Sequence, residues 1–187
     1  MSRRKRHVAE VALKLFVEKG IQQTSIQDII EQSNISKRTF YNYFSSKNDC
    51  IAEILEGLRY DASQRRLEML VGKDEMDRGI LIEQISLLIQ LNEERKLSTL
   101  FEAILNSNEI ELKKLVMHHR MYEMEWLSSR FTEVFGDHTR DYAFECSVLF
   151  LGMMQYIMFS MKISNTRLPT SQIVDVLLSY IEQSYHR

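Results

Sequence analysis

The chain has 187 residues, 44% of them hydrophobic and 27% charged, with a formal net charge of −2. That length allows one large domain or two small ones with a real core, and the balance reads as soluble and globular rather than disordered. One proline and six glycines, among long runs of Leu, Ile, Met, Glu, Lys and Arg, point to an all-α protein.

The charge is unevenly spread. Residues 1–50 carry nine Lys/Arg against five Asp/Glu, and the remainder fifteen against twenty-one. A basic head on an acidic body suits a polyanion partner for the head alone. The basic start (Arg3, Arg4, Lys5, Arg6) resembles that of a signal peptide, but Glu10, Lys14, Glu18 and Lys19 interrupt any apolar core. A cytoplasmic protein without a membrane partner is expected.

Val8, Val11, Ala12, Leu15 and Phe16 recur at helical spacing, and Gly20 stops that first helix. Thr24 with Gln27 resembles a capping box, Ser25 being an alternative cap. A short helix then buries Ile26, Ile29 and Ile30 and ends near Ser33, where Asn34 tolerates a left-handed conformation. Ser36 caps a third helix, with Ile35 and Phe40 placed as a hydrophobic staple. Ser46, three residues before Asp49, starts a fourth that runs to about Leu70.

Two short helices joined by a tight turn, the second carrying Lys37 and Arg38, make a helix-turn-helix. With Phe40 at zero on a helical wheel, Phe44 lies about 40° away and both face inward. Arg38 and Asn42 fall near 160° and 200°, on the opposite ridge. A guanidinium and an amide there suit bidentate contacts with guanine and adenine. Lys37, Thr39, Tyr41 and Tyr43 flank the ridge and suit phosphate oxygens. Lys47 sits in the first turn of the fourth helix, where free N–H groups also favour a phosphate. Thr24 and Ser36, at the starts of the second and third helices, complete the candidate DNA-binding set.

These residues resemble a family. The stretches Thr24-Ser25-Ile26-Gln27-Asp28-Ile29-Ile30, Ile35-Ser36-Lys37-Arg38-Thr39-Phe40-Tyr41-Asn42-Tyr43-Phe44 and Ser46-Lys47-Asn48-Asp49 are similar to the DNA-binding domain of the TetR family of bacterial transcriptional regulators. Gln32-Ser33-Asn34 stands where that family often has Ala-Ala-Gly, and Arg38 where it often has Gly. The resemblance implies backbone or groove contacts for Thr39, Tyr41, Tyr43 and Lys47. It also implies a helix-turn-helix domain at residues 1–50, followed by a helical ligand-binding and dimerisation domain at 51–187. The implied function is a dimeric regulator on double-stranded operator DNA, a repressor released by a small hydrophobic ligand. The alternative is an architectural or protein-controlled DNA binder of the same fold.

Further along, the pattern predicts helices near 75–93, 96–106, 109–135, 138–162 and 170–185, broken at 106–108, 136–137 and 164–170. In the third of these, Leu112, Val116, Trp126, Leu127 and Val134 share one face, and His119, Glu123 and Arg130 fall in the same stripe. Ionisable groups on an apolar stripe either satisfy one another or line a pocket. His119, Glu123, Trp126 and Arg130, with Met154 and Met158 from the next helix, are therefore candidate ligand contacts. A cavity walled by residues 112–131 and 146–158 would hold them. The segment 142–161 is apolar around nearly its whole circumference, which predicts cover on all sides, the core on one and a second copy of the chain on the other.

Enzyme readings find no support. No phosphate-binding glycine loop, Gly-x-Ser-x-Gly or His-Glu-x-x-His occurs, and adjacent His118 and His119 point about 100° apart on a helix. Cys50 and Cys146 match no metal spacing. No catalytic residue, metal or cofactor is expected.

Overall fold

A computed structural model describes residues 3–184, and among them every regular element is a helix. The order is α1 (Arg3–Lys19), α2 (Ile26–Gln32), α3 (Lys37–Tyr43), α4 (Lys47–Leu70), α5 (Arg78–Glu94), α6 (Leu97–Asn106), α7 (Ile110–Phe135), α8 (Ala143–Ser164) and α9 (Thr170–Ser184). Two compact units form. One comprises the chain up to Ser63 with Leu91–His119; the other comprises Gln64–Gln90 with the chain from Arg120 onward. Residues 50 and 51 both lie inside α4, and α6 packs against α1.

In the first unit, α1 buries Val8, Ala12 and Phe16 at helical spacing and packs on both α2 and α6. Gly20 ends α1 at a φ of 90°, a backbone that a side chain would strain. The cap of α2 lies one residue later than the Thr24–Gln27 pairing. Ser25 Oγ accepts from the Asp28 N–H at 3.0 Å, and Asp28 accepts from the Ser25 N–H at 2.8 Å. Thr24 turns inward instead, its fully buried hydroxyl donating to the carbonyls of Gly20 at 2.8 Å and Leu15 at 3.2 Å. Gln27 reaches Glu31 instead.

α2 closes with a Schellman motif. The Ile35 N–H donates to Ile30 O at 3.2 Å and the Asn34 N–H to Glu31 O at 3.1 Å, with Asn34 at a φ of 51°. Ser36 then caps α3, accepting from the Thr39 N–H at 3.0 Å. At the start of α4, Ser46 Oγ accepts from the Asp49 N–H at 3.3 Å, while Asp49 takes both the hydroxyl and the N–H of Ser45.

The second unit is built around Leu81 and Ile85 of α5, Leu127 and Phe131 of α7, Phe150 of α8 and Val174 and Leu178 of α9. α8 and α9 pack on each other. Two helices begin later than their apolar patterns. Asp77 Oδ1 accepts from the Gly79 N–H at 2.6 Å and holds the start of α5 at Arg78. Between Gly136 and Ala143 the chain makes a 3-10 turn, with the buried Thr139 hydroxyl donating to Gly136 O at 2.8 Å, so α8 starts at Ala143. Cys50 and Cys146 are free and buried, and burial pushes the Cys50 thiol up to about 12.

The caps of α2 and α4 make the first unit sensitive to acid. The N–H and hydroxyl of Ser25 hold the Asp28 carboxyl below its ordinary range, and the hydroxyl and N–H of Ser45 do the same for Asp49. A folded pKa below the unfolded value contributes stability that is complete above the unfolded pKa and is lost as pH falls through the folded one. The window lies below about pH 4. An Asp28→Asn, Asp49→Asn double variant is expected to be less stable than wild type at neutral pH and to show a shallower loss of helix on acidification. Circular dichroism during acid titration checks this, and superimposable acid limbs would contradict it.

Candidate nucleic-acid interface

A seven-residue helix presents an outer face only if its inner face is firmly held. Phe40 is fully buried and Phe44 nearly so, with ring centroids 5.6 Å apart. Tyr41 sets its edge against Phe40 at 5.4 Å, and Tyr43 against Phe44 at 6.2 Å. With that side anchored, Lys37, Arg38, Tyr41 and Asn42 are exposed, and Thr39 and Tyr43 are half-buried at the flanks. Ser36 is exposed at the helix start, where its hydroxyl also meets that of Thr39 at 2.8 Å. The ridge therefore has Arg38 and Asn42 at its crest, bordered by hydroxyls and an ammonium.

Lys47 does more than the first turn of α4 suggested. Its half-buried ammonium donates to the carbonyls of Ile21 at 2.8 Å and Thr24 at 3.0 Å. Those carbonyls lie in the segment joining α1 to α2, so Lys47 ties the start of α4 to the entry of the helix-turn-helix. One of its three donors remains for a phosphate. Thr24, with its side chain fully buried and its hydroxyl engaged, is corrected from a DNA contact to a tie between α1 and α2.

Residues 9–54 match the family model described as "Bacterial regulatory proteins, tetR family". The HTH-type transcriptional regulator YuxN of Bacillus subtilis is 26% identical over 185 residues, which cover 97% of this chain and 63% of YuxN. The HTH-type transcriptional repressor KstR2 of Rhodococcus jostii is 26% identical over 139 residues, covering 71% of this chain and 62% of KstR2. This chain thus spans under two thirds of the length of either curated relative. Across the whole fold it is similar to a TetR-family regulator from Syntrophomonas wolfei (TM-score 0.70, 22% identity, 98% of this chain and 95% of that one). It is also similar to the flavonoid-responsive regulator FrrA (TM-score 0.67, 19% identity, 98% and 97%). Residues 9–54 are thus a DNA-binding domain of the TetR type, and the chain as a whole has the fold of those solved regulators.

The six candidate ligand contacts divide between the two compact units. His119 falls in the first compact unit, where it is buried and packs its ring 5.8 Å from Phe101. Glu123, Trp126, Arg130, Met154 and Met158 fall in the second. Glu123 and Arg130 are both buried, and neither bonds the other. Glu123 accepts from Arg66 Nη2 at 2.8 Å, and the Arg66 guanidinium lies 3.4 Å over the Trp126 ring. Arg130 bonds Gln84 at 3.1 Å, the Glu75 carbonyl at 2.7 Å and the Glu133 carboxylate. Gln84 in turn donates to the Arg66 carbonyl at 3.0 Å. Met154 is buried and Met158 half-buried in the core.

Sequence reasoning missed Arg66 and Gln84, because residues 66 and 123 come together only through tertiary packing. A signal existed. Leu58, Ala62 and Arg66 lie at successive i+4 positions, so Arg66 continues a buried stripe of α4. Among the described residues no group of three or more His, Cys, Asp or Glu is placed to hold a metal ion.

Two substitutions in the reading head should separate by mechanism. Arg38→Ala removes an exposed side chain and should leave the melting temperature unchanged while costing roughly 1–3 kcal/mol at one base position of a selected site. Lys47→Ala should lower the melting temperature as well as the affinity, since it unties α4 from the α1–α2 segment. Equal melting temperatures for Lys47→Ala and wild type would remove its structural role. In the second unit, Glu123→Ala leaves the Arg66 guanidinium buried without a counter-charge and is expected to cost about 3–5 kcal/mol in denaturant unfolding. A loss under 1 kcal/mol, roughly that of an exposed pair, would refute it.

Proposed function

We propose that this chain is a DNA-binding transcriptional regulator that acts as a homodimer, a repressor whose hold on its operator a small ligand weakens. The exposed ridge of α3, with Arg38 and Asn42 opposite the buried Phe40 and Phe44, carries the reading. Lys37, Arg38, Thr39, Tyr41, Asn42 and Tyr43 are its DNA contacts, with Ser36 and the third donor of Lys47 on phosphates. The repressor sense is supported by KstR2, which is named a repressor. The ligand is supported by FrrA, a flavonoid-responsive regulator. The engagement of Glu123 by Arg66 and of Arg130 by Gln84 favours a second reading for that part of the chain, a DNA binder controlled without a ligand at those residues.

Support for the dimer comes from the outer side of α8. By length and composition this is the one described helix apolar enough to cross a membrane. Its inner side, with Cys146, Phe150 and Met154, is buried in the core. On the outer side Val148, Leu149, Gly152, Tyr156, Phe159 and Ile163 recur at helical spacing, and Tyr156 and Ile163 are 72% and 70% exposed. A Cβ added at Gly152 would meet nothing within 4 Å. Val176 and Tyr180 of α9, which packs on α8, are likewise exposed. An apolar surface of this extent on a single chain marks an interface, and isologous pairing would cover it. The pair would then offer two recognition helices to major grooves about one DNA turn apart.

Tyr156→Glu or Phe159→Glu should therefore give monomers or aggregates without disturbing the core of a subunit, and should abolish tight binding to a two-fold site. Sedimentation of the variants and of wild type at micromolar concentration is the measurement. A stable wild-type monomer would sink the dimer.

A further inference from the structure

Behind α3, within the first compact unit, lies a groove of about 430 Å³. That volume is in the range of small-molecule sites. Tyr43 and Phe44 at the end of α3 form one wall, Lys5 of α1 another, and α4 and the first part of α7 the rest. None of the DNA-facing ridge at Arg38 and Asn42 belongs to it.

The chemistry of the walls is selective. Among the lining carboxylates and basic side chains, Asp49, Glu53 and Glu56 outnumber Lys5 and Arg59. The groove already holds an ammonium group, the chain's own. Lys5 Nζ lies 2.5 Å from Glu53 Oε2 and 5.5 Å from the centre of the Phe44 ring. A carboxylate beneath and an aromatic face beside are the two elements that recognise an organic ammonium. Glu53 is itself only 9% exposed, and its second oxygen, Oε1, is buried with no hydrogen-bond partner. A buried carboxylate bonded through one oxygen has capacity for a further donor. Beyond it, Ala52, Leu55 and Leu115 offer an apolar surface.

We propose that this groove binds a small organic cation, a primary ammonium group carried on an apolar or aromatic body, with the ammonium on Glu53 and the body against Phe44 and Leu115. Lys5 is the internal competitor that the ligand displaces or joins. Because Tyr43 and Phe44 close α3, any such binding that alters their position is linked to DNA binding with equal effect in both directions.

The test uses the full chain without DNA, so its outcome is independent of the repressor reading. 2-Phenylethylamine is titrated by calorimetry beside 2-phenylethanol, which has the same body and no charge. The amine should bind and the alcohol should not. Glu53→Gln should weaken the amine about tenfold or more through loss of a charge-assisted bond. Lys5→Ala should bind it more tightly than wild type does, and its melting temperature should rise more on adding the amine. If Glu53→Gln fails to fold, Leu115→Trp, which fills the apolar end, should weaken the amine in its place. Equal behaviour of amine and alcohol, no binding to wild type, or tight binding that survives both Glu53→Gln and Leu115→Trp would overturn the proposal.

Discussion

Neither α2 nor α3, at seven residues each, can hold itself together, since isolated helices below roughly a dozen residues are marginal in water. The reading head therefore exists because Phe40 and Phe44 are buried against the rest of the first unit. Burying a side chain of that size contributes about 1.5–3 kcal/mol, against about 1 kcal/mol for a typical cap. The ridge of Arg38 and Asn42 is defined only as the side that Phe40 and Phe44 leave outward. A change at either phenylalanine would displace that ridge without touching an atom on it.

Around that anchor the chain closes its helix ends almost entirely with short side chains. Ser25 and Asp28, Ser36, and Ser45, Ser46 and Asp49 answer the free N–H groups at the starts of α2, α3 and α4. Asn34 answers the carbonyls at the end of α2. Lys47 adds a long-range tie, using its ammonium on two carbonyls ahead of α2. Arg6 and Arg95 clasp Asp61 between them; burial raises its carboxyl, and the two guanidiniums outweigh that and hold it below its ordinary range. The positive head of the sequence is thus partly internal. Lys5, Arg6 and Lys47 hold the first unit together, while Arg3, Arg4, Lys37 and Arg38 remain exposed.

The second unit solves a different problem, the burial of charge. A guanidinium stacked on Trp126 and paired with Glu123 avoids the cost of an isolated buried ion. The Gln84 amide joins this pair to Arg130 and onward to Glu75 and Glu133. Apart from the Arg130–Glu133 pair, three residues apart on α7, nothing in that chain of contacts is local. The nearest sequence neighbours on the stripe of α7, four and seven residues apart, are not the partners.

What the sequence determined alone was whatever depends on neighbours within about four residues. Helix periodicity, the left-handed Asn34, the Ser36 cap, the inward Phe40 and Phe44 and the outward Arg38 and Asn42 all follow from the 3.6-residue repeat and from local hydrogen bonding. Even the α2 cap was legible to within one residue. Tertiary structure decided the rest. Thr24 has the right type for a cap or a phosphate contact, and only the approach of the Leu15 and Gly20 carbonyls turns it inward. Glu123 and Arg130 share a stripe, and only the packing of α4 and α5 on α7 supplies Arg66 and Gln84 as their partners. The groove at Glu53 needs four separate elements of the first unit to exist. Local geometry propagates along a chain, whereas the partner of a buried charge is chosen by whichever distant helix comes to lie against it.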